Sequence, residues 1–124
     1  MLFIINWVRS QSGYIMILVI MEMTVLPAKR KEFLQTVHAL IQSIRKEKGC
    51  IKCSACLDIE DENTFCMIQG WETQKELDRN LRSDLFKVLL GTKNFLSEPG
   101  EIKFYTVSST TGIEAVKKAR GKIS

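Results

Sequence analysis

The chain has 124 residues, 45% of them hydrophobic and 26% charged, which is enough for one domain with one core and excludes wholesale disorder. Its net charge of +4 sits at the ends: residues 109–124 carry Lys117, Lys118, Arg120 and Lys122 against Glu114, residues 1–15 add Arg9, and residues 16–108 are neutral overall. A body without basic excess, and without aromatics interleaved among basic residues, speaks against a nucleic-acid surface, and no apolar run is long enough to span a bilayer.

Residues 1–15 open with the apolar run Met1 to Val8. It has no basic region before it and no small-residue cleavage site after it, so it makes a poor signal peptide. The expected compartment is cytoplasmic. The segment reads either as an extra strand covering an edge or a partner subunit, or as a tail. Met16 is a second candidate translation start.

Residues 16–25 predict a strand. Ile17, Val19, Met21, Met23 and Val25 form one unbroken apolar face, while the other runs Leu18, Ile20, Glu22, Thr24. A strand apolar on both faces is covered on both sides. Pro27 ends it and suits a helix's first turn. From there to Glu47, Phe33, Val37, Leu40, Ile41 and Ile44 recur at helical spacing, and Gly49 suits the reversal that follows.

Residues 50–58 alternate as a second strand, with Ile51, Cys53, Ala55 and Leu57 expected on one face and Cys50, Lys52, Ser54, Cys56 and Asp58 on the other. Residues 59–63 form an acidic turn. Residues 64–72 return as a third strand, with Phe65, Met67, Gln69 and Trp71 on one face. Pairing symmetric about residue 61 sets Cys56 opposite Cys66. Thr73 with Glu76 predicts a capped helix over 74–81, and Ser83 caps a further helical stretch to Leu96. Pro99-Gly100 breaks it. Residues 101–107 are the last strand, and a polar tail follows with one weak helical turn around 113–119.

The order β-α-β-β-α-β is the ferredoxin-like pattern: an α+β fold, one antiparallel sheet with the helices on one face. Phe65, Met67 and Trp71 are expected under those helices. The opposite face keeps Leu18, Ile20, Cys66 and Ile68, too apolar for water, which implies a homodimer packed sheet against sheet.

Cys50, Cys53 and Cys56 have a spacing seen in metal, cluster and redox sites. Alternation along a strand prevents the three thiolates from converging, so small buried side chains are the expected role and no metal is called for. In a cytosol the thiols stay reduced. His38, the single histidine, is either a base or a residue at the margin of the first helix's apolar stripe. Trp71, at the junction of a strand and a helix, is either core or a ligand wall.

Several stretches in this order resemble the antibiotic biosynthesis monooxygenase family. They are Met16-Ile-Leu-Val-Ile, Pro27-Ala-Lys-Arg-Lys-Glu-Phe33, Glu47-Lys-Gly-Cys50, Glu62-Asn63 before Phe65, Gly70-Trp71-Glu72-Thr73, and Ser83-Asp84-Leu85-Phe86-Lys87. The resemblance covers about residues 16–107 and implies a dimeric α+β barrel with a pocket between sheet and helices near Trp71. It implies a cofactor-independent monooxygenase acting on a quinol-like or phenolic small aromatic. The alternative is a non-catalytic ligand-binding or structural homodimer on the same fold. On this reading Trp71, Gln69 and His38 are the catalytic candidates, His38, Gln69 and Glu72 being remote ones for acid–base work, and Met21, Met23, Phe65, Met67, Phe86 and Leu90 line the substrate pocket. The sequence also departs from the family. Haem-degrading members use an Asn and a His at positions that fall near Met21 and Leu90, so haem degradation is not implied. Leu85 stands where many relatives have His, and Met67 where phenol-oxidising members have Asn. The implied pocket is therefore unusually apolar.

Overall fold

A computed structural model describes residues 16–121, so the readings placed on residues 1–15 lie outside the described residues. Four strands, β1 (Met16–Thr24), β2 (Cys50–Asp58), β3 (Asp61–Trp71) and β4 (Glu101–Val107), form one sheet in the order β2-β3-β1-β4. Every neighbouring pair is antiparallel. Helix α1 (Arg30–Ile44) follows β1; α2 (Gln74–Leu81) and α3 (Asp84–Gly91) follow β3; α4 (Ile113–Arg120) ends the described chain.

The register explains the core. Ile17 faces Trp71, Val19 faces Gln69, Met21 faces Met67 and Met23 faces Phe65. All eight are buried. Onto them α1 lays Phe33, Val37, Leu40, Ile41 and Ile44, the residues its 3.6-residue period collects on one side. Each such side chain contributes about 1.5–3 kcal/mol when fully buried. Phe33 is wholly enclosed and its ring centroid lies 5.0 Å from that of Phe65.

Local chemistry fixes the element ends. Pro27–Lys29 is a 3-10 turn rather than the first turn of an α-helix, so α1 starts at Arg30. Thr73 Oγ1 accepts from the Glu76 amide at 3.1 Å, and Ser83 Oγ accepts from the Phe86 amide at 3.2 Å. Each cap is worth about 1 kcal/mol. The helical stretch after Ser83 changes to a 3-10 turn at Thr92–Phe95. That turn is sewn to the end of β1: the Leu26 amide donates to the Phe95 carbonyl at 2.8 Å and the Ser97 amide to the Thr24 carbonyl at 2.9 Å. At the tip of the β2–β3 hairpin the Asn63 amide and the Thr64 hydroxyl hold the Asp61 carboxyl below its ordinary range.

One expectation about β2 is corrected. Cys50 pairs with Trp71, Lys52 with Gly70 and Cys53 with Gln69. Ile51 is thus an extra residue, a bulge, and a bulge reverses the alternation on one side of it. Cys50 joins Cys53 on the helix-covered face instead of sharing the other face with Cys56. Cys56 does sit opposite Cys66, so the three cysteines of the Cys50–Cys56 run still do not converge. Among the described residues no three of His, Cys, Asp and Glu are grouped to hold a metal ion.

Candidate functional site

The last strand creates the site. Among the described residues β4 pairs only with β1 and lies at the sheet's edge, and its side chains are exposed on both faces except at half-buried Val107. Its register places Ile102 beside Met21 and Phe104 beside Val19, on the helix-covered face. The helices do not reach that far: Ile102 stays 38% exposed and Phe104 48%. Between this strip and α3 runs an open groove of about 450 Å³. Met21, Met23, Ile102 and Phe104 form its sheet wall, Phe86, Leu89 and Leu90 its helix wall, and Leu96 and Gly100 also line it. This volume lies in the range of small-molecule sites.

Polar groups are few. Thr92 lines the groove, but its hydroxyl donates to the Leu89 carbonyl at 2.6 Å. Lys93 and Glu101, both exposed, supply the charge. Glu101 lies 3.7 Å from Lys103.

The residues singled out from the sequence fall into three places. Met21, Met23, Phe86 and Leu90 line the groove together. Phe65, Met67, Gln69 and Trp71 lie on the same face of the sheet but inside the core, away from the groove lining. There the Trp71 indole Nε1–H donates to Gln69 Oε1 at 2.9 Å, and Gln69 Nε2 reaches Met67 Sδ at 3.4 Å. Trp71 is fully enclosed, so its indole donor is spent on its strand neighbour. His38 stands exposed on α1 and does not line the groove. Ile102, Phe104 and Lys93 were missed. Strand alternation in β4 was a usable signal for the first two, once β4 is placed next to β1.

The thiols of half-buried Cys50 and buried Cys53, near Trp71, are poor nucleophiles. Burial pushes Cys53 up to about 12, with Cys50 adding to the effect. Burial likewise pushes Cys50 up to about 11, even though the Lys52 carbonyl and Arg45 act in the opposite sense. Both stay protonated at neutral pH and behave as small packing groups.

The fold is thus an antiparallel ferredoxin-like sheet with an apolar groove between its edge strand and a helix. The family model "Antibiotic biosynthesis monooxygenase" matches residues 16–90, and the chain belongs to that family. Among relatives, protein sll1783 of Synechocystis is 30% identical over 85 residues, which make up 68% of this chain and 58% of that protein. The chain thus spans less than two-thirds of that relative. "Putative monooxygenase YcnE" of Bacillus subtilis is 29% identical over 77 residues, 61% of this chain and 81% of that protein. Among solved structures, a conserved protein from Methanosarcina mazei superposes with a TM-score of 0.72 at 31% identity, covering 78% of this chain and 96% of that one. No helix among the described residues is long and apolar enough to cross a membrane.

Proposed function

We propose that the chain binds a quinol-like or phenolic small aromatic in the groove between β4 and α3 and monooxygenates it without metal or flavin. The observation that carries this reading is the groove itself: apolar walls from Met21, Met23, Phe86, Leu89, Leu90 and Phe104, with the exposed cation Lys93 on the lining. An electron-rich phenolate can itself reduce oxygen. One oxygen atom enters the ring, the other leaves as water, and the substrate supplies all four electrons. The protein then needs only to hold the anion and keep bulk water away. The Lys93 ammonium favours the phenolate over the phenol, since an adjacent positive charge stabilises the deprotonated form, while the opposing Glu101 carboxylate on the same lining is partly offset by Lys103, 3.7 Å away.

The test is oxygen uptake with a panel of hydroquinones and naphthoquinols. Leu90 is 54% exposed, so Leu90→Arg is expected to fold while placing a charge on the groove wall. The variant should lose uptake, and affinity for an apolar fluorescent probe, by at least about tenfold, or ~1.4 kcal/mol. Trp71→Phe, away from the lining, should keep both in the folded fraction. The absence of enzyme-dependent uptake across the panel would sink the catalytic reading. A second reading, ligand binding without chemistry, is favoured by the Trp71–Gln69 hydrogen bond, which removes both side chains from service. Retained probe binding without oxygen uptake would select it.

Two copies are proposed to pack through the helix-free face, where Leu18, Ile20 and Ile68 are half-buried in the single chain. Light scattering is expected to give the mass of a dimer, and Ile20→Glu to give a monomer. A monomer mass for the unaltered chain would refute this assembly.

A further inference from the structure

Helix α4 has no buried residue. Ile113, Val116, Lys117 and Arg120 recur at spacings of three and four, so they share one side of it. Ile113 is 59% exposed and Val116 48%. An isolated helix of 8 residues is marginal in water, so a covering surface would stabilise it. The β2–β3 hairpin tip has the complementary make-up. Leu57 and Ile59 are exposed there, among the exposed carboxylates of Asp58, Glu60, Asp61 and Glu62. Among the described residues no salt bridge involves these acids, Lys117 or Arg120. Arg30, beside the tip, donates to the Glu62 backbone carbonyl.

The two surfaces stand at diagonal corners of the sheet. α4 leaves from the Met16–Val107 end of edge strand β4, and the tip closes the opposite end of edge strand β2. β3 spans 11 residues between those ends, about 33 Å at roughly 3.3 Å per residue. The chain from Val107 to Ile113 extends at most about 22 Å. α4 therefore starts too far from its own tip to lie across it.

We propose that α4 of each copy docks on the hairpin tip of a second copy of this chain. Ile113 and Val116 meet the partner's Leu57 and Ile59, while Lys117 and Arg120 face the partner's Glu60 and Glu62. The contact rests on the sheet-against-sheet dimer proposed above. A two-fold axis along the sheet's other diagonal crosses the two sets of strands near right angles, one of the two preferred packings of sheets. That axis carries each α4 corner onto the partner's tip corner, so the contact forms twice.

The test is the dimer dissociation constant of the full chain, measured by sedimentation. Lys117→Glu/Arg120→Glu should raise it at least about tenfold, because exposed attractions become repulsions at both contacts. Glu60→Lys/Glu62→Lys should do the same. All four changes in one chain restore opposite signs and should bring the constant back to within about threefold of the unaltered one. Lys118→Glu, on the other side of α4, should stay within about threefold. Unchanged constants for both reversals, or losses that add in the combined variant, would overturn the contact while leaving the dimer standing. A monomer mass for the unaltered chain would overturn both. Co-sedimentation with phosphatidylserine vesicles that Lys117→Glu/Arg120→Glu abolishes, at an unchanged dimer constant, would give α4 to a lipid surface instead.

Discussion

Trp71→Ala is expected to lower the free energy of unfolding by about 3–5 kcal/mol, the range for removing a large buried aromatic. That would consume a large part of the stability of a domain this size, which is about 5–15 kcal/mol. The ring is fully enclosed and stands opposite Ile17 in the sheet. Trp71→Phe separates packing from hydrogen bonding. It keeps most of the apolar volume but strands Gln69 Oε1, at a cost of about 1–3 kcal/mol for an unsatisfied buried acceptor. Gln69→Leu strands the indole N–H in turn. The double variant Gln69→Leu/Trp71→Phe removes both partners and should be more stable than the sum of the singles by about 0.5–3 kcal/mol. Urea unfolding of the four proteins measures the cycle. Strict additivity would show that the two side chains do not depend on each other.

Gly49→Ala is expected to cost about 2–5 kcal/mol, from two separable sources. The backbone there has φ of +88°, a conformation that costs an L-residue about 1–2 kcal/mol. A Cβ would also collide with Cβ and Cγ of Glu76, and overpacking of this kind costs about 1–3 kcal/mol. Glu76→Gly removes the collision but not the backbone strain, so in the Glu76→Gly background Gly49→Ala should cost only about 1–2 kcal/mol, read by thermal unfolding of the double variant against Glu76→Gly alone. No cost in that background would mean that the backbone is unstrained. The position matters beyond stability: the Glu72 amide donates to the Gly49 carbonyl at 2.8 Å, tying the start of α2 to the turn before β2. α2 carries Leu81 into the groove.

Most of the fold was readable because its signals are local and periodic. The apolar face of β1, the stripe of α1, the caps Thr73 and Ser83, and the breaks at Pro27 and Pro99-Gly100 each belong to a few adjacent residues. The Cys56–Cys66 pairing followed from hairpin symmetry alone. The Ile51 bulge was not readable, since a single inserted residue leaves an alternating pattern that looks intact from either side, and its effect is visible only against β3.

The site was half readable for a similar reason. Met21, Met23, Phe86 and Leu90 point where strand alternation and helical spacing send them. Trp71 is a conspicuous residue at a strand end, yet periodicity cannot say whether a ring on the covered face meets a ligand or another side chain. Gln69, two residues away on the same face, decides it by accepting the indole hydrogen.

The sequence by itself determined the elements, their order and which face of each is apolar, because those follow from side-chain chemistry at fixed spacing. The tertiary structure decided where the covered face ends. α1 and α2 seal Trp71, Met67 and Phe65, while β4, an edge strand beyond the reach of α3, leaves Ile102 and Phe104 open. The groove exists because the helices stop short of β4, whose place at an edge of the described sheet is set by strand order, which no stretch of residues encodes alone.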